Sequence, residues 1–432
     1  MKVAFVFLHP FSGSLGSTVR VRELAVSLRE FGVESYILTP YEKSRTISEG
    51  VNVVCIADFL QKLGLSNFIY KLTKDAYYNS FFISKFIANH KVQRFTSRLC
   101  EAISNAVKKI DADLVQIEQD IALLSAIDPM KKMDVPFLVD LHNITSEELV
   151  AAKVITQESK EFEILQERSC NALQQMDSIV VVNDEMKDYV VKNYGFSMKR
   201  VVVVPPGGRV NVKEVYEKSP QPKIVYSGSV AYREHLDLFI NSMPIVKKKS
   251  SDARFYITKK GRALKKINQL AKELGVNPSY FWFPTENTFY KFLSSCHVGV
   301  LPSSQDLARQ MGTPVKLFDY LSVGLPVVAN NIGAWTNLVK QEKVGVLTED
   351  NPSDFASGIL QLIENKEFAL ECCNNGLDLI RKKYNWQNSA KTLFGEYNRL
   401  LNSSCNKNSS ILTKQFSRNS IQSCSKTFNG FQ

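Results

Sequence analysis

Short apolar runs recur along the chain, and the segments between them place apolar residues at helical spacing. In the first half the runs are Lys2–Leu8, Val33–Thr39, Val51–Cys55, Leu114–Ile117, Phe137–Asp140, Ser178–Val182 and Val201–Val204. Brief, nearly continuous apolar runs of this kind read as strands buried on both faces, and their alternation with helices predicts parallel sheets. Pro205-Pro206-Gly207-Gly208 then interrupts the pattern, since it can neither extend a strand nor open a helix. A second series follows: Lys223–Ser227, Arg254–Thr258, Tyr280–Phe283, Val298–Leu301, Pro326–Ala329 and Val344–Leu347. The prediction is an α/β chain of two doubly wound domains, residues 1–205 and 206–385. A helix over 386–401 returns toward the first domain, and a polar, basic, disordered tail covers 402–432.

The most sharply punctuated element is Thr313 to Ala329. Thr313 is placed to cap a helix and Pro314 to open it. Gly324 stops it, and Leu325–Ala329 resumes as a buried strand. The preceding run, Val298–Leu301, ends just before this helix begins. A helix N-terminus facing the carboxyl end of a strand suits a diphosphate. Lys316 and Asp319 are three apart and share one face of the helix, where the first can meet phosphate and the second can accept from ribose hydroxyls.

Charge and cysteines narrow the setting. The net charge is +11, and part of it is local: residues 402–432 carry Lys407, Lys414, Arg418 and Lys426 and no acid. Such a surface is either simply solvated or attracted to an anionic membrane face or an anionic acceptor. No nucleic-acid recognition motif accompanies it. Between Asp58 and Cys100 nine Phe and Tyr residues interleave with seven Lys and Arg, a composition that fits a membrane interface and a packed domain wall equally. No apolar run is long enough to cross a bilayer, and the N-terminus reads as a first strand rather than a signal peptide. The eight cysteines form no Cys-x-x-Cys pair and read as buried thiols of a reducing compartment; five histidines without paired spacing argue against zinc. We expect a cytoplasmic protein with no metal and no resident cofactor.

Other candidates sit where strands end. Gly13 and Gly16, in the turn after the first strand, permit close backbone approach to a ligand. This turn is not the G-x-G-x-x-G fingerprint, and the second strand ends in Thr39 rather than an acid, which argues against a nicotinamide dehydrogenase. Arg20 falls on the first turn of a helix, where a cation opposes the dipole, and this favours a ligand-facing role toward an acceptor. Glu118 and the Asp140-Leu-His142-Asn143 segment end two internal strands. Glu118 is placed to bind acceptor hydroxyls. For His142 a loop histidine held by Asp140 is the competing reading.

The segment from Gly312 to Ala329 resembles the donor-site helix of retaining GT-B glycosyltransferases of the family-4, group 1 type, whose pattern is close to "G-x-P-x-K-x-x-E-Y-x-x-x-G-x-P-V-V". The resemblance extends over roughly residues 1–400. It implies the GT-B fold, two Rossmann-like domains facing across a cleft, and transfer of a sugar from a nucleoside-diphosphate donor without metal. The acceptor would be a lipid-linked glycan or a polysaccharide precursor, reached at the membrane surface. It implies that Thr313, Lys316 and Asp319 bind the donor and that His142 lies beside the donor sugar. Val225–His235 is similar to the family segment whose Arg and Lys bind the donor diphosphate. Here Ser229 stands where Arg is frequent and Glu234 where Lys is expected. Arg233 is the substitute cation on this reading, and Lys259, at the next glycine turn, is a further source of charge. The first acid of the family's paired acids is absent, because Met311 occupies its place, with Asp306 and Arg309 out of register. That departure supports an alternative: a non-catalytic GT-B protein that binds a nucleotide-sugar or glycan. A scaffold on the membrane surface, built on the aromatic basic stretch, is a further alternative.

Overall fold

The computed structural model describes residues 1–9, 11, 16–40, 42–47, 49–59, 90–119, 133–210, 218–231, 234–283 and 285–403. The aromatic stretch over 60–89, the tail from 404 onward, Gly13 and Arg233 lie outside them.

Two sheets organise the described residues. The first holds β1 (Lys2–Val6), β2 (Glu34–Thr39), β3 (Arg45–Thr46), β4 (Asn52–Cys55), β5 (Leu114–Glu118), β6 (Phe137–Leu141), β7 (Ser178–Val181) and β8 (Val201–Val203). Their order is β3-β4-β2-β1-β5-β6-β7-β8. Apart from the antiparallel β3–β4 pair, neighbours run parallel. The second holds β9 (Lys223–Tyr226), β10 (Arg254–Thr258), β11 (Ser279–Phe281), β12 (Val298–Leu301), β13 (Val327–Asn330) and β14 (Gly345–Thr348), all parallel, in the order β11-β10-β9-β12-β13-β14. Each expected strand is present with its ends displaced by at most two residues. The central strands β5, β6, β7, β12 and β13 are buried at every position, which is why they read as unbroken apolar runs rather than alternating ones. The sequence missed β3, whose two residues are both exposed and leave no hydrophobic signal.

Both cores lie between these sheets and flanking helices. In the first, Leu99, Ile103 and Val107 of the helix His90–Ile110 pack against one face. Val21, Leu24 and Leu28 cover the other face, together with Trp386, Leu393 and Tyr397 from a helix over 386–403. The chain therefore crosses between the sheets twice, side by side. Gly208 N donates to Tyr384 O at 2.8 Å, and Ser389 Oγ donates to Pro205 O at 2.7 Å.

The helix that the sequence singled out spans Val315–Ser322. Its C-terminal stop is as read: Gly324 has φ +62°, and Leu325 N donates back to Tyr320 O at 3.0 Å. Its start is not as read. Pro314 occupies the cap position, no side chain caps the helix, and the Thr313 hydroxyl instead accepts from Asn183 Nδ2 at 2.8 Å. Asn183 also donates to Met311 O at 2.6 Å, so a residue of the first sheet's domain ties down the loop that leads into this helix.

Candidate active site

The carboxyl ends of β5 and β6 carry a buried polar cluster. Arg20, 1% exposed, donates from Nε and Nη2 to the two oxygens of Asp140 at 2.9 and 3.1 Å, and from Nη2 to Val204 O at 2.8 Å. Arg20 was expected to face an acceptor. It does not: its guanidinium is turned into the interior by Asp140. Glu118, expected to bind an acceptor, is also 1% exposed, and its Oε1 accepts from Gln116 Nε2 at 2.7 Å. Burial, and then the neighbouring Asp140, push the Glu118 carboxyl well above its usual range. Burial pushes Asp140 up less far, because the Arg20 fork opposes it. One guanidinium thus faces two carboxyls, and burial favours the protonated form more at Glu118 than at Asp140. Glu118, Asp140 and His142 each place a ligand atom within 4.8 Å of the others, but the fork from Arg20 already supplies the positive charge a cation would bring.

His142 follows β6 directly. Gln119 Nε2 lies 2.6 Å from its Nε2, and Gln119 Oε1 lies 3.4 Å from Nε2 of His9. Burial first, then the Arg20 charge, lower the His142 pKa to about 3, and burial lowers that of His9 to about 4. Both rings are neutral near pH 7. His142 Nδ1, Asn143 Oδ1 and Glu118 Oε2 are buried without a hydrogen-bond partner among the described residues. The sequence reading passed over His9 and Gln119, although His9 does follow the first strand in the way His142 follows β6.

In the second domain Lys316 stands at the N-terminal turn of its helix. Its ammonium donates to Tyr226 Oη and to Glu234 Oε2, both at 2.8 Å, and lies 4.3 Å from the centre of the Tyr226 ring. Glu234 also accepts from Tyr226 Oη at 2.9 Å and pairs with Arg309 Nη2. Lys316 and Arg309 are therefore drawn together by an acid that occupies the family's lysine position. Gly228 makes room for this. With φ +131°, it would place an added Cβ 2.8 Å from Lys316 Nζ. Ser229 is exposed and contributes its carbonyl to Tyr226 Oη at 2.9 Å, while the Lys259 side chain is exposed at the end of β10. Ser227, 3% exposed at the end of β9, has an unpartnered hydroxyl. Asp306 caps the helix Leu307–Met311 through Arg309 N at 3.0 Å.

Asp319, on the same helix as Lys316, accepts from Tyr290 Oη at 2.7 Å. Burial raises its pKa to about 6, against the pull of that hydrogen bond and of Arg209. Arg209 itself bridges the domains, pairing with Glu23 of the first and Glu286 of the second at 2.5 Å each, while Arg22 also pairs with Glu286. Gly16 opens the helix Gly16–Ser27 and sits where a Cβ would lie 3.7 Å from Val315 Cγ2. The N-terminus of the Gly16–Ser27 helix and the Lys316 helix therefore meet across the domains.

Comparisons with known proteins bear on this geometry. A family model described as "Glycosyltransferase Family 4" matches residues 15–209, and one described as "Glycosyl transferases group 1" matches 221–365. A protein of Methanocaldococcus jannaschii named an uncharacterised glycosyltransferase is 25% identical over 49% of this chain and 56% of its own length. The GDP-mannose-dependent alpha-(1-6)-phosphatidylinositol monomannoside mannosyltransferase of Mycobacterium tuberculosis is 19% identical over 44% of this chain and 50% of its own. The chain thus spans about half the length of the curated relatives it matches. Sucrose-phosphate synthase from Thermosynechococcus elongatus shares the fold with a TM-score of 0.71, at 13% identity over 93% of this chain and 99% of that one.

Proposed function

Because this chain belongs to the GT-B glycosyltransferases of group 1, we propose that it moves a sugar from a nucleoside-diphosphate donor to a hydroxyl acceptor, with retention at the anomeric carbon and without metal. The observation that carries this reading is the Lys316 ammonium at a helix N-terminus, drawn beside the Arg309 guanidinium by Glu234. Two cations and a helix dipole at one point suit the charge that grows on a departing diphosphate. Arg309 is a cation that sequence reasoning left out of register, and Arg233, which it named, lies outside the described residues. Asp319 would hold the ribose, with its carboxylate favoured above pH 6 and Tyr290 as its present partner. Neutral His142 would donate to a sugar hydroxyl. No side chain here is an obvious nucleophile, which suits attack on the face that the phosphate leaves. Arg20 and Asp140 have no contact with substrate on this reading and act by holding the end of β6.

The acceptor we favour is a lipid-linked glycan or polysaccharide precursor at the cytoplasmic face of a membrane. The net charge of +11 supports attraction to anionic lipid, and one relative's name specifies a phosphatidylinositol mannoside. Among the described residues no helix is long and apolar enough to cross a membrane. Glu234 at the cation position favours a second reading, in which the protein binds a nucleotide-sugar but does not turn it over. A thermal-shift and hydrolysis panel of UDP-, GDP-, dTDP- and ADP-sugars in chelator separates the two. Release of nucleotide from one stabilising donor, lost in Lys316→Ala, supports a transferase. Stabilisation without release from any donor supports the binding protein.

A further inference from the structure

Between His9 and His142 lies one side chain that neither the sequence motifs nor the proposed chemistry assigns. Gln119 directly follows β5. It has φ +72°, a left-handed conformation that is unfavourable for a non-glycine residue and must be held from outside. Its own N–H holds it, donating to Asp140 O at 2.9 Å, and Asp140 is in turn fixed by Arg20. The side-chain amide then has one oxygen toward His9 Nε2 and one nitrogen toward His142 Nε2. An amide nitrogen only donates and an amide oxygen only accepts. His9 must therefore carry its proton on Nε2, while His142 must present a bare Nε2 and carry its proton on Nδ1. That Nδ1 is the ring atom left buried and without a partner among the described residues.

We infer that Gln119 is a positioning residue that fixes His142 in the Nδ1–H tautomer and so reserves this proton for a hydroxyl of the bound sugar. The inference rests on the proposed function for the identity of the acceptor of that proton, but the tautomer itself can be read without any reaction. Arg20, His9, Glu148, Glu118 and Asp140 are the charged or titratable groups that face the His142 ring, and the two that lower its pKa, Arg20 and His9, act with burial to keep it neutral. A neutral ring that offers a single donor matches an uncharged sugar oxygen. An imidazolium would be drawn to the phosphate instead.

The test is long-range 1H–15N correlation of the full chain labelled at its five histidines, with His142 assigned by His142→Asn. The expected spectrum shows His142 protonated at Nδ1 and His9 at Nε2 near pH 7. In Gln119→Glu both rings face an acceptor, and the Nδ1–H pattern of His142 is lost in favour of Nε2–H. Should Gln119→Glu fail to fold, Gln119→Met removes both hydrogen bonds without adding charge, and His142 then shows a mixture of tautomers. His142 as Nε2–H in the wild type, or Nδ1–H persisting undiminished in whichever variant folds, overturns the inference. If no donor is turned over but the tautomers behave as stated, the proposed function fails and the positioning role stands.

Discussion

Replacing Arg20 by Met tests whether the buried cluster is a structural ion pair or a ligand site. Arg20 and Asp140 are 1% and 0% exposed and joined by two hydrogen bonds, with a third from Arg20 to Val204 O. Arg20→Met removes all three and leaves Asp140 beside Glu118 with no cation, so both carboxyls must take up protons. Removing one partner of a buried pair costs about 3–5 kcal/mol. Asp140→Asn differs, because Glu118 remains beside Arg20 and, with the charge of Asp140 gone, its carboxylate can face the guanidinium. That loss should be smaller, about 1–2 kcal/mol, the cost of weaker geometry around a buried charge-assisted bond. Urea titrations can read both, followed by the fluorescence of Trp386, which is 3% exposed in the core that includes Val3, Leu24 and Tyr397. Phe at Trp282 and Trp335 silences the other two indoles. A loss below about 1 kcal/mol for Arg20→Met would refute the buried pair, since that is the range of exposed ion pairs. Equal losses in the two variants would refute the reserve role of Glu118.

Further outcomes follow from the same contacts. His9 and His142, with folded pKa values of about 4 and about 3 against 6.5 unfolded, give stability that is fully present above pH 6.5 and falls as pH drops below it. At pH 5 the loss is roughly 2 kcal/mol per group, and His9→Asn or His142→Asn should flatten the slope of urea midpoints between pH 6.5 and 5. His235, raised by Asp237 and by Asp350, contributes with the opposite sign: its stabilisation is present below pH 6.5 and lost as pH rises through its folded value, and His235→Asn should remove that trend. Arg209→Met, which removes one of the two cations held between Glu23 and Glu286 and leaves Arg22 as the other, should cost about 1–2 kcal/mol, between exposed and buried pairs, and the double variant with Arg22→Met should enlarge the radius of gyration seen by X-ray scattering. Gly228→Ala forces a Cβ against Lys316 Nζ at a φ of +131° and should abolish donor turnover while circular dichroism stays that of the wild type.

The strands were legible because both sheets are buried, and burial on two faces leaves unbroken apolar runs such as Val298–Leu301 and Phe137–Leu141. Gly324 was legible because a left-handed stop demands glycine. Partnerships across long separations were not. Thr313 has a cap's chemistry, but Asn183, 130 residues away, takes its hydroxyl. Arg20 has the position of a ligand-facing cation, but Asp140, 120 residues away, turns it inward. The pairing of Arg309 with Glu234 escaped a register-based reading because the two residues are far apart in sequence. Gln119 gave no signal at all, since only the fold places it between two histidines.

The central claim is that a nucleoside diphosphate binds at the N-terminus of the Val315–Ser322 helix through Lys316. Isothermal titration of UDP and GDP into the wild type and Lys316→Met tests this most directly. The account predicts that one of the two nucleotides binds and that its affinity falls about 10- to 100-fold in the variant, the loss of one charge-assisted contact of about 1.5–3 kcal/mol. Equal affinity in the two proteins would contradict it.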